Sequence, residues 1–425
     1  MTSLTEADQD DIHPTALSTV PLRVLTGIGL AQLGLFTALL TPVFLTLPEK
    51  MSAITPNGKA QALSLVLGVG AIFALLAAPL FGHLSDRTTS RFGMRRPWLV
   101  GGLVGTGVGF GLMAASTTVT AVLAGWCLVQ VGGNAAFAAL TALVSDQVPA
   151  TKRARVSAIV NIAQTIAGAL GIYTVSFLAH GSRLTFAIPY LAAVAGIGFL
   201  VLVLPDRRLD RTDAQPVSLK SIAGSFVFNP RANRDYAWVW AARFMMFMGF
   251  AFLLSYTYFY LTDHLRISDA QGAATRLFTI ASFAQAGATI VTSWIGGWLS
   301  DRSGRRKLYV CVSTLGMALG LLLMAFTHAP AVFFVAYVIN GLAQGVYFAV
   351  DLALVIDVLP DSATDAAKDL GVFNIANTLP QSLAPAVAPA ILAIGTGDNY
   401  AALFIAATSF TVIAALAVLP VRKAR

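Results

Sequence analysis

Long apolar runs, broken by short polar clusters, account for most of the chain. A helix needs about 20 apolar residues to cross the hydrocarbon core of a bilayer. Twelve runs reach that length, at roughly 22–47, 61–84, 98–117, 120–145, 156–179, 185–204, 236–262, 276–300, 308–327, 330–356, 370–394 and 399–420. The pattern predicts an all-α membrane protein with twelve transmembrane helices. The longest polar stretch between spans, 205–235, carries PDRRLDRTDAQP and NPRANRD and leaves six spans on either side. The expected organisation is a tail at 1–20, a six-helix bundle at 21–204, a linker at 205–235, a second bundle at 236–420 and a tail at 421–425.

Composition removes the competing classes. Of the 425 residues 56% are hydrophobic and 11% charged, whereas soluble proteins average about 45–50% and about 25%. With a mean hydropathy of +0.74, the chain cannot hide its apolar surface in a water-soluble globule. Two cysteines, Cys127 and Cys311, allow no disulfide framework and no cysteine-built zinc site. The five histidines show no metal-binding spacing, and no phosphate-binding GxxxxGK[ST] loop occurs. No metal, cofactor or nucleic acid is expected, and no nucleophile–base pair that would suggest an enzyme recurs at one depth.

Charge orients the spans. Of the 28 Lys and Arg, only Lys50, Lys59, Arg183, Arg266 and Arg276 fall on one face, and Arg243 lies inside a span. The rest sit in the tails and even-numbered loops, which places both termini in the cytoplasm. The formal charge of +8 therefore reflects cytoplasmic loops. The first twenty residues are polar and acidic, unlike a cleavable signal peptide. A multi-pass protein of the cell membrane is expected.

The two halves repeat each other. GHLSDR at 82–87 returns as GWLSDR at 297–302, ALVSD at 142–146 as ALVID at 353–357, and NIAQT at 161–165 as NIANT at 374–378. Parallel repeats of this kind build transporters whose solute site lies between the halves near the midplane. The duplicated G-x-L-S-D-R pattern, followed by paired arginines, resembles the loop that marks the major facilitator superfamily. More finely, SDRTTSRFGMRRPW (85–98), AVDLALVIDVLP (349–360) and AKDLGVFNIANTLPQSLAP (367–385) resemble the sugar–cation symporters and the sucrose-transporter-like branch. The resemblance implies a fold in which helices 1, 4, 7 and 10 line a cavity. Helices 2, 5, 8 and 11 would join the halves, and 3, 6, 9 and 12 would lie outside.

Amides agree with that partition. Spans 3, 6, 9 and 12 carry none in their interiors, whereas Gln32, Gln130, Asn134, Asn161, Gln164, Gln285, Asn340, Gln344, Asn374, Asn377 and Gln381 occupy the others. Polar groups in lipid either face a cavity or join helices by hydrogen bonds. For one amide the two readings are balanced; for the set, a solute pathway is favoured. Tyrosines 256, 258 and 260 fit an interfacial belt better than a binding site. Tyr347, deeper in span 10, is a better candidate to meet a solute.

Two intramembrane charges are the most informative residues. Arg243 and Asp351 lie roughly 10 and 14 Å from the cytoplasmic ends of spans 7 and 10 at about 1.5 Å per residue. At similar depth on two cavity helices, they are expected to meet. They would form either a structural ion pair or a protonatable carboxylate beside a cation. The repeat places Leu140 opposite Asp351, which the shared fold does not explain. Asp86, Arg87, Arg95 and Arg96, with Asp301, Arg302, Arg305, Arg306 and Asp357, read as cytoplasmic gate latches. Asp146 reads as a latch or, by resemblance to the sucrose-transporter-like branch, as a proton-coupling acid. His83 receives no role.

The function expected is secondary active transport by a monomer. The cargo would be a small polar solute, a sugar or glycoside, moved by alternating access with a proton or sodium ion. The alternative is a proton-coupled exporter of amphipathic drugs from the same superfamily.

Overall fold

The computed structural model describes residues 21–179, 181–206, 233–268, 272–358, 366–395 and 398–421, without the side chains at 150–151, 154–155, 352, 356–357 and 366–374. Among these residues there are twelve long helices and no strand. In the first half they are α1 (Leu22–Ile54), α2 (Lys59–Asp86), α3 (Arg96–Ala115), α4 (Val119–Gln147), α5 (Ala150–Val175) and α6 (Leu184–Val203). In the second they are α7 (Arg234–His264), α8 (Ala273–Ser303), α9 (Arg306–Phe326), α10 (Pro330–Val358), α11 (Ala366–Leu392) and α12 (Tyr400–Val418). All but α11 are long and apolar enough over their described residues to cross a membrane. Backbone hydrogen bonds stay inside each helix, the condition for crossing lipid.

Local chemistry sets several helix starts. The side chains of Thr118, Asn233 and Asn399 accept hydrogen bonds from the backbone amides of Ala121, Tyr236 and Ala402, capping α4, α7 and α12. Proline occupies the first turn of α3 and α10 (Pro97, Pro330), where no amide hydrogen is missed. α8 stops at Gly304, whose φ of 64° is the left-handed conformation that a side chain disfavours. The first helices of the two halves also share an irregularity. Both α1 and α7 contain a π turn near the external end, at Pro42–Thr46 and Tyr260–His264. The apolar pattern did not signal either turn.

Helices without amides face outward. Val100, Val104, Val108 and Leu112 form an exposed stripe on α3, and Leu308, Val312, Leu315, Leu319 and Leu322 form another on α9. Their spacing of three and four residues keeps each stripe on one face, and in a bilayer that face meets lipid. Inside the first bundle, glycine allows helix backbones to touch. A methyl group on Gly34 of α1 would run into the Ala192 carbonyl of α6, and one on Gly196 of α6 into the Leu30 carbonyl of α1. Such small-residue crossings hold membrane helices together by close packing.

Buried apolar residues form two clusters. The smaller one stays within the cytoplasmic half of the first bundle and includes Val24, Ile28, Leu140, Leu143 and Leu204. The larger one runs through both halves, joining Leu45, Leu63, Trp126 and Ile172 to Phe259, Phe278 and Ala384. Contact between α2 and α11, and between α5 and α8, brings the bundles together.

The α1–α6 crossing generates the first prediction. Gly34→Val should destabilise the protein by at least the roughly 1–3 kcal/mol typical of overpacking, because the obstacle is backbone. Gly198→Ala, on the same α6 but with open space at its Cβ, should be neutral or slightly stabilising. Thermal unfolding of the two variants in detergent separates these outcomes.

Candidate functional site

α7, α10 and α11 meet around one buried charge cluster. Arg243 on α7 forms an ion pair through Nη1 with Oδ2 of Asp351 on α10. Its Nε donates to Oδ1 of Asn377 on α11, and its guanidinium lies 5.3 Å from the Phe247 ring centroid. The side chain of Asp351 is 3% exposed and that of Arg243 14%, so the cluster is approached from the arginine side. The two charges expected to meet are in contact. A lone charge at helix-centre depth costs about 2.5–3.5 kcal/mol on insertion scales, and pairing relieves that cost.

One helical turn before Asp351, on the same face of α10, lies Tyr347. It is 1% exposed, and among the described residues its hydroxyl has no hydrogen-bond partner. A buried hydroxyl left unsatisfied costs about 1–3 kcal/mol.

The first half holds a neutral counterpart. Gln164 on α5 donates to Gln32 on α1 over 3.4 Å. One offset along the chain relates Gln32 to Arg243 and Leu140 to Asp351, and NIAQT/NIANT relates Gln164 to Asn377. The α1–α5 amide pair is thus repeated as the α7–α11 guanidinium–amide pair. Only the second half adds an acid, where the first has a leucine buried in its core. The correspondence of Gln32 with Arg243 was available in the sequence, in the same alignment that paired Leu140 with Asp351.

Other candidate residues are placed apart from this cluster. Asn340 is buried with its amide on its own helix at Ala336 O, 2.9 Å away; a methyl on Gly320 of α9 would meet that amide. Gln344 Oε1 lies 3.5 Å from the Thr289 hydroxyl of α8. Gln344 thus reaches a neighbouring helix of its own bundle, whereas the amide of Asn340 bonds within α10. Asn134 donates to the Gln130 carbonyl at 2.8 Å; both residues are half-buried, as is Gln285, whereas Asn161 and Gln381 are exposed. The side chains of Asn374 and Asp357 lie outside the described residues. Tyr256 and Tyr260 are fully buried and bond to the Pro385, Met324 and Thr327 carbonyls. They are packed inside the second bundle and do not form an interfacial belt.

At the cytoplasmic end, the first loop closes on Arg95, which is 4% exposed. Its guanidinium donates to Asp146 at 2.8 Å, to Asp86 at 2.7 Å and to the Ser85 hydroxyl at 2.8 Å. Burial works against this charge, but the Asp146 and Asp86 carboxylates more than offset it and raise the pKa above the ordinary guanidinium value. Arg95 sits in the loop between α2 and α3 and its partners come from α2 and α4, so the network ties elements of one bundle. Asp206, beyond α6, adds a partner that no motif indicated. Its carboxylate accepts from the backbone amides of Arg95 and Arg96 at 2.9 and 2.8 Å. That places an anion at the positive end of α3. Gly93, at φ 104°, is required here because a Cβ would collide with that carboxylate. Arg96 donates to Leu204 O at 2.5 Å, and Arg87 contacts His83 at 3.2 Å. In the second loop, Arg306 donates to Ala353 O at 3.0 Å and Arg302 lies 5.4 Å from the Trp298 ring. Asp301, Arg302 and Arg305 are exposed. Among the described residues no three His, Cys, Asp or Glu side chains group as a metal site would need.

The Asp206 contact yields the second prediction. Asp206→Ala should cost about 0.5–2 kcal/mol, as loss of a helix cap does, and Asp206→Asn should retain most of the stability because an amide oxygen still accepts. Unfolding temperatures of the purified variants test the order.

Comparison with known proteins agrees with this architecture. The Major Facilitator Superfamily model matches residues 26–296 and 267–425. The fold is similar to that of the nucleoside transporter NupG, with a TM-score of 0.69 and 15% identity over 94% of this chain and 98% of that one. A point mutant of NupG gives 0.74 at 15% identity, over 94% and 100%. The human organic anion transporter MFSD10 gives 0.68 at 16% identity, over 93% and 99%. At such identities the likeness concerns the fold. A segment of 39 residues is 51% identical to an uncharacterised symporter from Synechocystis sp., covering 9% of this chain and 7% of that protein.

Proposed function

The chain belongs to the major facilitator superfamily and is a secondary transporter; we propose that it moves a small hydroxylated solute, a sugar or glycoside, together with a proton. The observation that carries this reading is the Arg243–Asp351–Asn377 cluster with the unpartnered Tyr347 hydroxyl beside it. A hydroxylated solute can offer donors and acceptors to all four groups at once. An apolar drug would leave the hydroxyl unsatisfied and the ion pair desolvated without return. The symporter to which a short segment is similar points the same way, though over few residues. The nucleoside named for one structural neighbour is itself a glycoside, and that likeness adds only the fold.

Asp351 is the coupling acid in this reading. Paired with Arg243 it is ionised. A proton arriving on it frees the guanidinium, which then has hydrogen-bond capacity for the solute and keeps Asn377. Loss of the proton restores the pair and expels the solute. The cycle needs no nucleotide: one charge moving through 100 mV supplies about 2.3 kcal/mol. The amides Asn340 and Gln344, engaged within their bundle, are not needed for it. Asp146, held by Arg95 near the cytoplasmic end, is assigned to the loop network.

Uptake of labelled mono- and disaccharides by proteoliposomes, with and without a pH gradient, tests solute and driving force together. A panel that gives no gradient-dependent uptake contradicts the sugar reading. Tyr347→Phe should weaken solute binding about tenfold, equivalent to one hydrogen bond of about 1–1.5 kcal/mol, while thermal stability stays equal or rises. Unchanged affinity would remove Tyr347 from the site.

The two charges give a further expectation. Asp351→Asn should abolish accumulation against a gradient yet retain counterflow. Arg243→Gln should be the less stable single variant, since it leaves a buried carboxylate alone. The double variant should fold better than Arg243→Gln, because removing both charges is often near neutral. Full gradient-driven accumulation by Asp351→Asn would remove its coupling role.

A further inference from the structure

On the external side, among the described residues, one ion pair crosses between the bundles. Lys59, the first residue of α2, places Nζ 2.7 Å from Asp263 Oδ1 in the π turn of α7. Both side chains are largely shielded, at 24% and 18% exposure, and the ammonium also lies 5.0 Å from the Phe259 ring centroid. The carboxylate is held independently within its own half. Tyr400, the first residue of α12, donates to Oδ2 at 2.8 Å, and the Thr262 hydroxyl donates to Oδ1 at 3.0 Å. Two aromatic contacts cross between the halves in the same external region, Phe44–Phe278 at 6.2 Å and Tyr173–Phe283 at 5.9 Å between centroids.

We propose that Lys59 and Asp263 are positioning residues of the transport cycle, an external latch that holds the outer ends of the bundles together and is broken each time the solute site opens outward. Alternating access is largely a rocking of one repeat against the other, so a bond spanning the halves at one end cannot persist when that end opens. The construction suits repeated release. Tyr400 and Thr262 remain on the carboxylate when Lys59 leaves, so Asp263 is not left without partners. Lys59 stands at a helix start next to the aqueous phase, where a freed ammonium is hydrated at once. The π turn matters because it places Asp263 at the mouth between α2 and α12. Its counterpart in α1 lies in the same external region. His264 and His328, with ring centroids 4.6 Å apart, and Tyr260 stack behind the turn within the second half. They support the turn without crossing between the bundles.

The test measures opening, not solute, so it stands or falls separately from the sugar and proton reading. In a background without Cys127 and Cys311, Ser382→Cys reports external opening: Ser382 is buried on α11, and its carbonyl would lie 3.4 Å from a methyl on Gly68 of α2. In right-side-out vesicles a membrane-impermeant maleimide should label this cysteine slowly. Lys59→Met and Asp263→Asn should each raise the labelling rate roughly two- to fivefold, the population shift a partly screened ion pair can produce. Lys59→Arg, which keeps the charge, should label at the parental rate. The reversed pair Lys59→Asp with Asp263→Lys should return towards it. Parental labelling in both neutralised variants, or a reversed pair as fast as the singles, would overturn the latch. If one neutralised variant fails to fold, the other decides with the reversed pair: a latch requires that the remaining single variant labels faster than the parent and that opposite charge in the reversed order slows labelling again.

Discussion

Charge in a medium of low dielectric constant is the constraint on which the interior depends. Neither Arg243 nor Asp351 can stay ionised alone at this depth without a penalty of a few kcal/mol, and together they make one neutral unit. That unit sits where three helices of one bundle converge, and Asn377 satisfies a further donor of the guanidinium. Everything around it is ordinary membrane packing: apolar stripes outward, glycine crossings inward, backbone bonds inside each helix. A neutral unit made of two charges can be split by one proton, and the proposed coupling rests on that step.

The internal repeat shows how such a unit fits a shared fold. Gln32 and Gln164 join α1 to α5 in the first half as Arg243 and Asn377 join α7 to α11 in the second. In the first half two neutral amides make the polar contact at this place. Replacing Gln32 by its charged counterpart Arg243 demands a carboxylate, and Asp351 supplies it where Leu140 packs in the first half. The asymmetry belongs to the chemistry, the symmetry to the architecture.

Twelve long helices and the outward faces of α3 and α9 were legible in the sequence, because hydrophobic length and the absence of amides respond directly to lipid. The meeting of Arg243 with Asp351 was legible for the same reason, since depth along two helices is simple arithmetic. The amides were harder. Asn340 and Gln344 look the same in sequence whether they face a cavity or a neighbouring helix, because rotation about the helix axis decides; in the fold Gln344 lies against Thr289 of α8 and the amide of Asn340 bonds to Ala336 of its own helix. The external latch was not legible. Lys59 and Asp263 are 204 positions apart and each sits near a loop, where a charge needs no explanation. A π turn leaves no mark in an apolar pattern. Asp206 escaped likewise, as one acid among several charges following α6, until the folded chain set it on the amides of Arg95 and Arg96.

The central claim is that a proton on Asp351 and the solute travel together. Proton movement can be followed directly with a pH-sensitive dye inside weakly buffered proteoliposomes, on adding a mixture of mono- and disaccharides without an imposed pH gradient. The account predicts that the solutes acidify the lumen as they enter, and that Asp351→Asn takes up solute down its gradient with no acidification. Solute uptake without lumenal acidification in the unaltered protein, or equal acidification by Asp351→Asn, would contradict it.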